Sequence, residues 1–299
     1  MIGNPKRLFR APSLRYIVSI LLVLVSLSVT VPVVAESELS GSHASLDTNT
    51  IALPDFLSPF GAYPNILQLT DAHRETFHPV LLVPKGIHPK PLDYRNARGL
   101  ASSQAILRAK YCRPCRWLMR LIQKFQKRHW ALGRYDENRQ EMYTSQLFQN
   151  LDNNIDGYSG RRTVHLGIDL AAPVGTKVHA FTDGIVHSVG YNAEHGDYGY
   201  VIVIQHSLPS GLDVWALYGH LDRSTIKGKQ PGSRIHKGQA IGRIGACHEN
   251  GGWEAPHVHF QLAMYPPETH DMPGASSVDD RSKALLHYPD PRYVLGPLY

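Results

Sequence analysis

The sequence predicts a mainly β protein, with stacked or partly closed antiparallel sheets over residues 151–265 and an irregular, partly helical N-terminal region before them. Two observations predict it. From about residue 163 the chain becomes a series of short runs rich in Val, Ile and aromatics, separated by Gly, Pro, Asn or Asp. Before that, residues 36–97 are rich in Pro, Ser, Asn and Asp without sustained periodicity, and only residues 98–133 carry a helical repeat. The 42% apolar and 19% charged fractions of the 299 residues are those of a globular protein with ample material for a core.

The first 35 residues stand apart. Lys6, Arg7, Arg10 and Arg15 precede the apolar run "YIVSILLVLVSLSVTVPVVA", and Val33 and Ala35 sit at the spacing of a cleavage site before Glu36. This reads as a signal peptide removed on export. A retained signal anchor is the alternative, because the run is nearly long enough to span a bilayer. The leader holds four of the 31 Lys+Arg and none of the 25 Asp+Glu, leaving 27 against 25, a net +2. So small a balance gives no support to nucleic-acid binding.

In residues 36–150 the segments "LPDFLSPFGAYP" and "PVLLVPKGIHPKPLDYRN" read as extended stretches and turns, since each Pro fixes its own φ and restricts the residue before it. Residues 98–133 read as helical. Trp117, Leu118, Leu121, Ile122 and Phe125 recur at helical spacing, with Arg116, Arg120, Lys124, Lys127 and Arg128 on other faces. Such a basic amphipathic helix, over 115–130, either lies on an anionic membrane surface or packs on the domain with a solvated basic face. Of the three cysteines, Cys112 and Cys115 lack the second pair that a zinc ribbon needs, and Cys247 is far away.

The β region is built from "KVHAFTDGIVHSVGY", "GYVIVIQHS", "LDVWALYGHL", "SRIHKGQAIGRIG" and "HVHFQLAMY", with "SGLD" at 210–213 marking a hairpin. Residues 266–299 return to Pro-rich irregular sequence, a tail wrapped on the domain.

Within these runs, side chains alternate faces with period 2, so His257 and His259 of "PHVHF" share one face while Val258 and Phe260 point into the other layer. Two imidazoles side by side suit a metal, but the pair alone is also an ordinary pair of core or surface histidines. "HLGIDL" provides His165 and Asp169. On a straight strand they lie about 13 Å apart at ~3.3 Å per residue, too far to grip one ion. If both are ligands the backbone bends between them, and Gly167 permits it. "LYGHL" places His220 at the end of another run. His179, His187, His206 and His236 have no comparable context.

Taken together, His165-x-x-x-Asp169, His220 in "YGHL" and His257-x-His259, in that order across about a hundred residues, resemble the M23 zinc metallopeptidases of the LytM or lysostaphin type. The resemblance covers roughly residues 163–263. It implies the LytM-like sheet architecture, one Zn2+ per chain held by His165, Asp169 and His259, and His220 and His257 flanking the reacting water. It also implies an exported endopeptidase acting on peptide stems or cross-links of peptidoglycan, located in the periplasm or cell wall. A catalytically silent wall-binding relative is the alternative; such members are expected to lack some of the five residues, and all five are present. A sugar-phosphotransferase carrier domain is disfavoured because "FTDG" follows "HLGID" here instead of preceding it. The chain departs from the family's usual pattern in "GACHENGGWEAPH", a longer loop expected to form a wall of the cleft, with Trp253 either stacking on a ligand or anchoring the loop.

Overall fold

The computed structural model describes residues 73–95, 130–149 and 160–299. The leader, residues 115–129 of the basic helix, and Cys112 and Cys115 lie outside the described residues.

The structure is mainly β. Eight strands form one sheet in the order β1-β2-β4-β11-β8-β7-β6-β9. They are β1 (Lys90–Pro91), β2 (Ala131–Gly133), β4 (Ile168–Ala171), β6 (Gly184–Asn192), β7 (Gly199–Ser207), β8 (Asp213–Leu221), β9 (Arg234–Ile235) and β11 (His257–Ala263). All neighbours in it are antiparallel except β1 and β2. Two small antiparallel pairs accompany it: β3 (Val164–His165) with β12 (Ala275–Ser276), and β5 (Lys177–His179) with β10 (Ala240–Arg243).

The hairpin at 210–213 is present, linking β7 to β8. Alternation along β11 also follows the sequence pattern. Val258, Phe260 and Leu262 are fully buried in the larger core, with Ile168, Ile202, Ile204 and Tyr218. Each such side chain contributes about 1.5–3 kcal/mol on burial. Ala263, on the opposite face, joins a second core with Leu166, Val203, Leu217 and Tyr288. With cores on both faces, β11 is buried along its whole length.

Two sequence expectations are corrected. The helical repeat was expected to run to residue 133, but Ala131–Gly133 is the strand β2, pairing with β4 through Ala131↔Ala171, Leu132↔Leu170 and Gly133↔Asp169. Leu132 is buried in the main core, so sheet pairing and burial override a local helical pattern at its weak end. The tail is more ordered than its prolines suggest: besides β12 it contains two helices, α2 (Arg281–His287) and α3 (Arg292–Leu295), following α1 (Gln146–Gln149). Ala284 and Val294 anchor α2 and α3 in the two cores.

Candidate metal centre

One row across the sheet sets out the site. Gly133, Asp169, His259 and Gly219 are successive register partners on β2, β4, β11 and β8. The two glycines make room for what stands between them. A Cβ on Gly133 would meet Asp169 Oδ2 at 2.6 Å and Arg139 Nη2 at 2.7 Å; one on Gly219 would meet the Tyr198 ring at 2.7 Å. Tyr198 in turn packs on His259, with ring centroids 5.2 Å apart.

The chain breaks between β3 and β4, bringing His165 back beside Asp169. Gly167 sits at the break with ordinary φ, so its role is space and not handedness. A Cβ there would strike His259 Cε1 and Nε2 at 2.5 Å. The result is a tight triangle. His165 Nε2 lies 3.0 Å from His259 Nδ1 and 3.2 Å from Asp169 Oδ1, and His259 Nδ1 lies 3.2 Å from Asp169 Oδ1.

Each member is locked from behind. His165 Nδ1 is 2.7 Å from the Arg134 carbonyl, which only accepts, so Nδ1 carries the proton and Nε2 presents a lone pair. Gln261 Nε2 donates to the Pro273 carbonyl at 3.2 Å, which turns Gln261 Oε1 toward His259 Nε2 at 2.9 Å. His259 therefore donates from Nε2 and presents a lone pair at Nδ1. Asp169 Oδ2 accepts from Arg139 Nη1 at 2.6 Å, leaving Oδ1 to the two histidines.

Arg139 is buried, and it also donates to Glu137 Oε2 at 2.9 Å, the Tyr143 hydroxyl at 3.2 Å and the Arg134 carbonyl at 3.3 Å. Burial alone would raise the Asp169 carboxyl, but His165 and Arg139 outweigh it and hold the group well below the usual carboxylate range. Burial, reinforced by the Arg139 charge, brings His165 down to about 4.

Three acceptor atoms thus converge with no hydrogen among them, a repulsive arrangement that a cation relieves. Their spacing fits one. A tetrahedral ion with bonds near 2 Å sets its donors ~3.3 Å apart. Two imidazoles and a carboxylate, His165, Asp169 and His259, suit zinc.

His257 and His220 stand beside the triangle. His257 Nε2 is 3.7 Å from Asp169 Oδ1, and its Nδ1 donates to the Ala255 carbonyl at 2.7 Å. His220 Nδ1 donates to the Asn250 carbonyl at 2.8 Å, and the two rings are 4.4 Å apart. Burial lowers both pKa values, His220 well below the ordinary one with further repulsion from His257 and His259. Each ring is neutral at pH 7 and keeps one nitrogen free to accept a proton.

His220 has φ +60°. A non-glycine residue in this region stores about 1 kcal/mol or more. It is held there by its own N–H to the Tyr198 carbonyl at 2.7 Å, and by its carbonyl accepting from Gly245 N at 2.9 Å.

The cleft over this centre is lined in part by Tyr143 and Phe148 from the segment before the β region, by Arg162, and by Trp253. Trp253 is the loop residue that reaches the wall. It donates from Nε1 to the Asp197 carbonyl at 3.3 Å and stands edge-on to His220 and His257. Asn250 ties the loop together, its side chain bonding Gly245, Gly252 and Trp253.

The structure therefore brings together all five residues singled out in the sequence. Sequence reasoning missed Gln261 and Arg139. Gln261 was legible in principle, lying two residues beyond His259 on the same strand face; Arg139 carries no local signal.

Two predictions arise from the supporting groups. Arg139→Met is expected to weaken zinc affinity about 10- to 100-fold, as loss of a partner behind a ligand usually does. Competition against a chromophoric chelator measures it, and unchanged affinity would contradict the assignment. The metal-free chain is also expected to lose stability as pH falls from about 6.5 toward 4. His165 and the core residue His206 both have folded pKa values of about 4 through burial, below the ordinary 6.5. The unfolded chain therefore takes up protons first, at up to ~1.4 kcal/mol per pH unit for each histidine. Denaturant midpoints at pH 7.5 and 5 in chelator test this; equal midpoints would contradict it.

Comparison with known proteins relates part of this chain to one peptidase family. Residues 163–270 match peptidase family M23. Peptidoglycan DD-endopeptidase ShyC of Vibrio cholerae is 31% identical over 163 residues, covering 50% of this chain and 35% of that protein. DD-carboxypeptidase/endopeptidase Mpg of Neisseria meningitidis is 33% identical over 101 residues, 34% of this chain and 20% of its own length. Among solved structures, the catalytic domain of the prophage-encoded M23 protein EnpA from Enterococcus faecalis is 30% identical. That match covers 36% of this chain and 75% of that one, with a TM-score of 0.29. The chain thus spans 35% of ShyC's length and 20% of Mpg's.

Proposed function

We propose that this chain, whose residues 163–270 form a peptidase M23 domain, is a zinc-dependent endopeptidase that hydrolyses peptide bonds in the stems or cross-links of peptidoglycan. One observation carries the reading. Three lone pairs from His165, Asp169 and His259 converge at 3.0–3.2 Å, with two further neutral imidazoles against them in the same cleft. The peptidoglycan substrate is taken from what ShyC and its Vibrio relative ShyA are named for.

His165, Asp169 and His259 would hold the ion. Zinc at such a site supplies Lewis acidity, lowering the pKa of water toward neutrality and polarising a peptide carbonyl. The chain's own residues do the rest. His165 and His259 are aimed by the Arg134 carbonyl and Gln261, and Asp169 is kept ionised by Arg139.

His257 and His220 are placed to take a proton from the attacking water. Once protonated, either can stabilise negative charge on the carbonyl oxygen or return the proton to the leaving amine. The two act jointly, and neither role is divided between them. The basic leader followed by an apolar run suits export to the compartment that holds the substrate.

Incubation with purified peptidoglycan tests the reading. Soluble peptide fragments are expected to appear, to stop with a chelator and to resume with added zinc. Fragment release that a chelator leaves unchanged would overturn it.

A further inference from the structure

Among the described residues that line the cleft, Arg162 is the one that the proposed hydrolysis does not use and whose side chain has an unpartnered buried nitrogen. It lies just ahead of β3 and is 2% exposed. A guanidinium carries five N–H donors. This one donates from Nη2 to the Leu147 carbonyl at 2.6 Å and lies over the Phe148 ring, 5.7 Å from its centroid; Nε has no partner. A buried charged donor left without an acceptor costs more than ~1–3 kcal/mol, so the site is built for an acceptor that the chain itself does not provide.

The two nearby acids do not fill that role. Asp197 and Asp271 line the same cleft, but each is turned to its own following backbone. Asp197 Oδ1 accepts from Tyr198 N at 2.6 Å and Asp271 Oδ1 from Met272 N at 2.9 Å. Among the described residues, neither forms an ion pair with Arg162. Burial raises both carboxyls, Asp271 to about 7 with added repulsion from Asp197, so the pair is short of its full charge at neutral pH. These acids still disfavour a dianion such as phosphate at this spot. A single carboxylate balances the guanidinium and matches its planar fork.

The geometry points to Arg162 as a specificity residue that binds a free carboxylate of the substrate, at a subsite in the same cleft as the His165, Asp169 and His259 centre. The inference rests on the peptidase reading of that centre and adds the chemistry by which the substrate is chosen: one carboxylate, near the bond that is cut, in its ionised form.

The test uses the full zinc-loaded chain and a set of cross-linked stem peptides in which each free carboxylate is converted to its carboxamide in turn. With the wild type, amidation at one position is expected to lower kcat/KM about 10- to 100-fold, the worth of a charge-assisted hydrogen bond. Arg162→Met is expected to lower kcat/KM on the unmodified peptide by a similar factor and to become indifferent to that amidation, while Arg162→Lys recovers part of the preference. If no amidation affects the wild type, the proposal is overturned while the hydrolytic reading stands. If Arg162→Met slows all peptides equally and keeps the wild-type preference, Arg162 is structural only and the proposal is overturned. If the wild type cleaves none of the peptides, the hydrolytic reading fails and the proposal falls with it.

Discussion

Chains carrying His165→Ala or Asp169→Ala are expected to be isolated without zinc and without measurable release of fragments from peptidoglycan. The reason is the small number of donors. The triangle offers three, and a tetrahedral site with three protein ligands and one open position does not survive on two. The two variants differ in what else they lose. His165→Ala leaves the Arg134 carbonyl without that donor and vacates a fully buried volume. Asp169→Ala removes one of the two carboxylates against Arg139, which keeps its ion pair with Glu137 at 2.9 Å. Elemental analysis of both proteins decides the ligand assignment: full occupancy in both would sink it.

The second large effect is on rate with the metal retained. His257→Ala and His220→Ala are each expected to keep one zinc per chain and to slow hydrolysis about 10²-fold or more, the scale of a lost proton acceptor or oxyanion partner. Retention of the metal follows from geometry. The nearest approach of His257 to the triangle among its ion-pair contacts is 3.7 Å, and His220 is tied to the Asn250 carbonyl on a different loop. Because the two rings stand 4.4 Å apart and work on the same proton, the double variant is expected to be little slower than either single one. Unchanged turnover in the single variants would remove them from the mechanism.

Much of this centre was readable from the chain because its determinants are local. Period-2 alternation put His257 and His259 on one face and Val258 and Phe260 on the other, and the sheet keeps that division. The separation of His165 and Asp169 on a straight strand demanded a bend, and the break between β3 and β4 provides it. Gly167 was identified for the wrong physical reason: what requires it is the His259 ring against its backbone, a contact 92 residues away that no local pattern encodes.

The same limit hid Arg139. Its value lies in meeting Asp169 from the stretch beyond β2, where Asn138 bridges Val164 and Arg139 N donates to the Thr163 carbonyl, and β2 itself sits at the end of a stretch whose period reads as helix. The φ of His220 was equally invisible, since it is imposed by hydrogen bonds to Tyr198 and Gly245 on other strands and loops. The short helices of the tail form because Ala284 and Val294 find cores to bury in, which the prolines around them do not announce.

The proposed peptidoglycan hydrolysis depends on one zinc held by His165, Asp169 and His259. It is tested most directly by measuring metal content and peptidoglycan digestion on the same purified preparation. One zinc per chain, with fragment release that stops when the zinc is stripped and returns when it is restored, is the predicted result. A preparation that binds no zinc and releases no fragments would contradict the claim and leave the chain as a wall-binding protein.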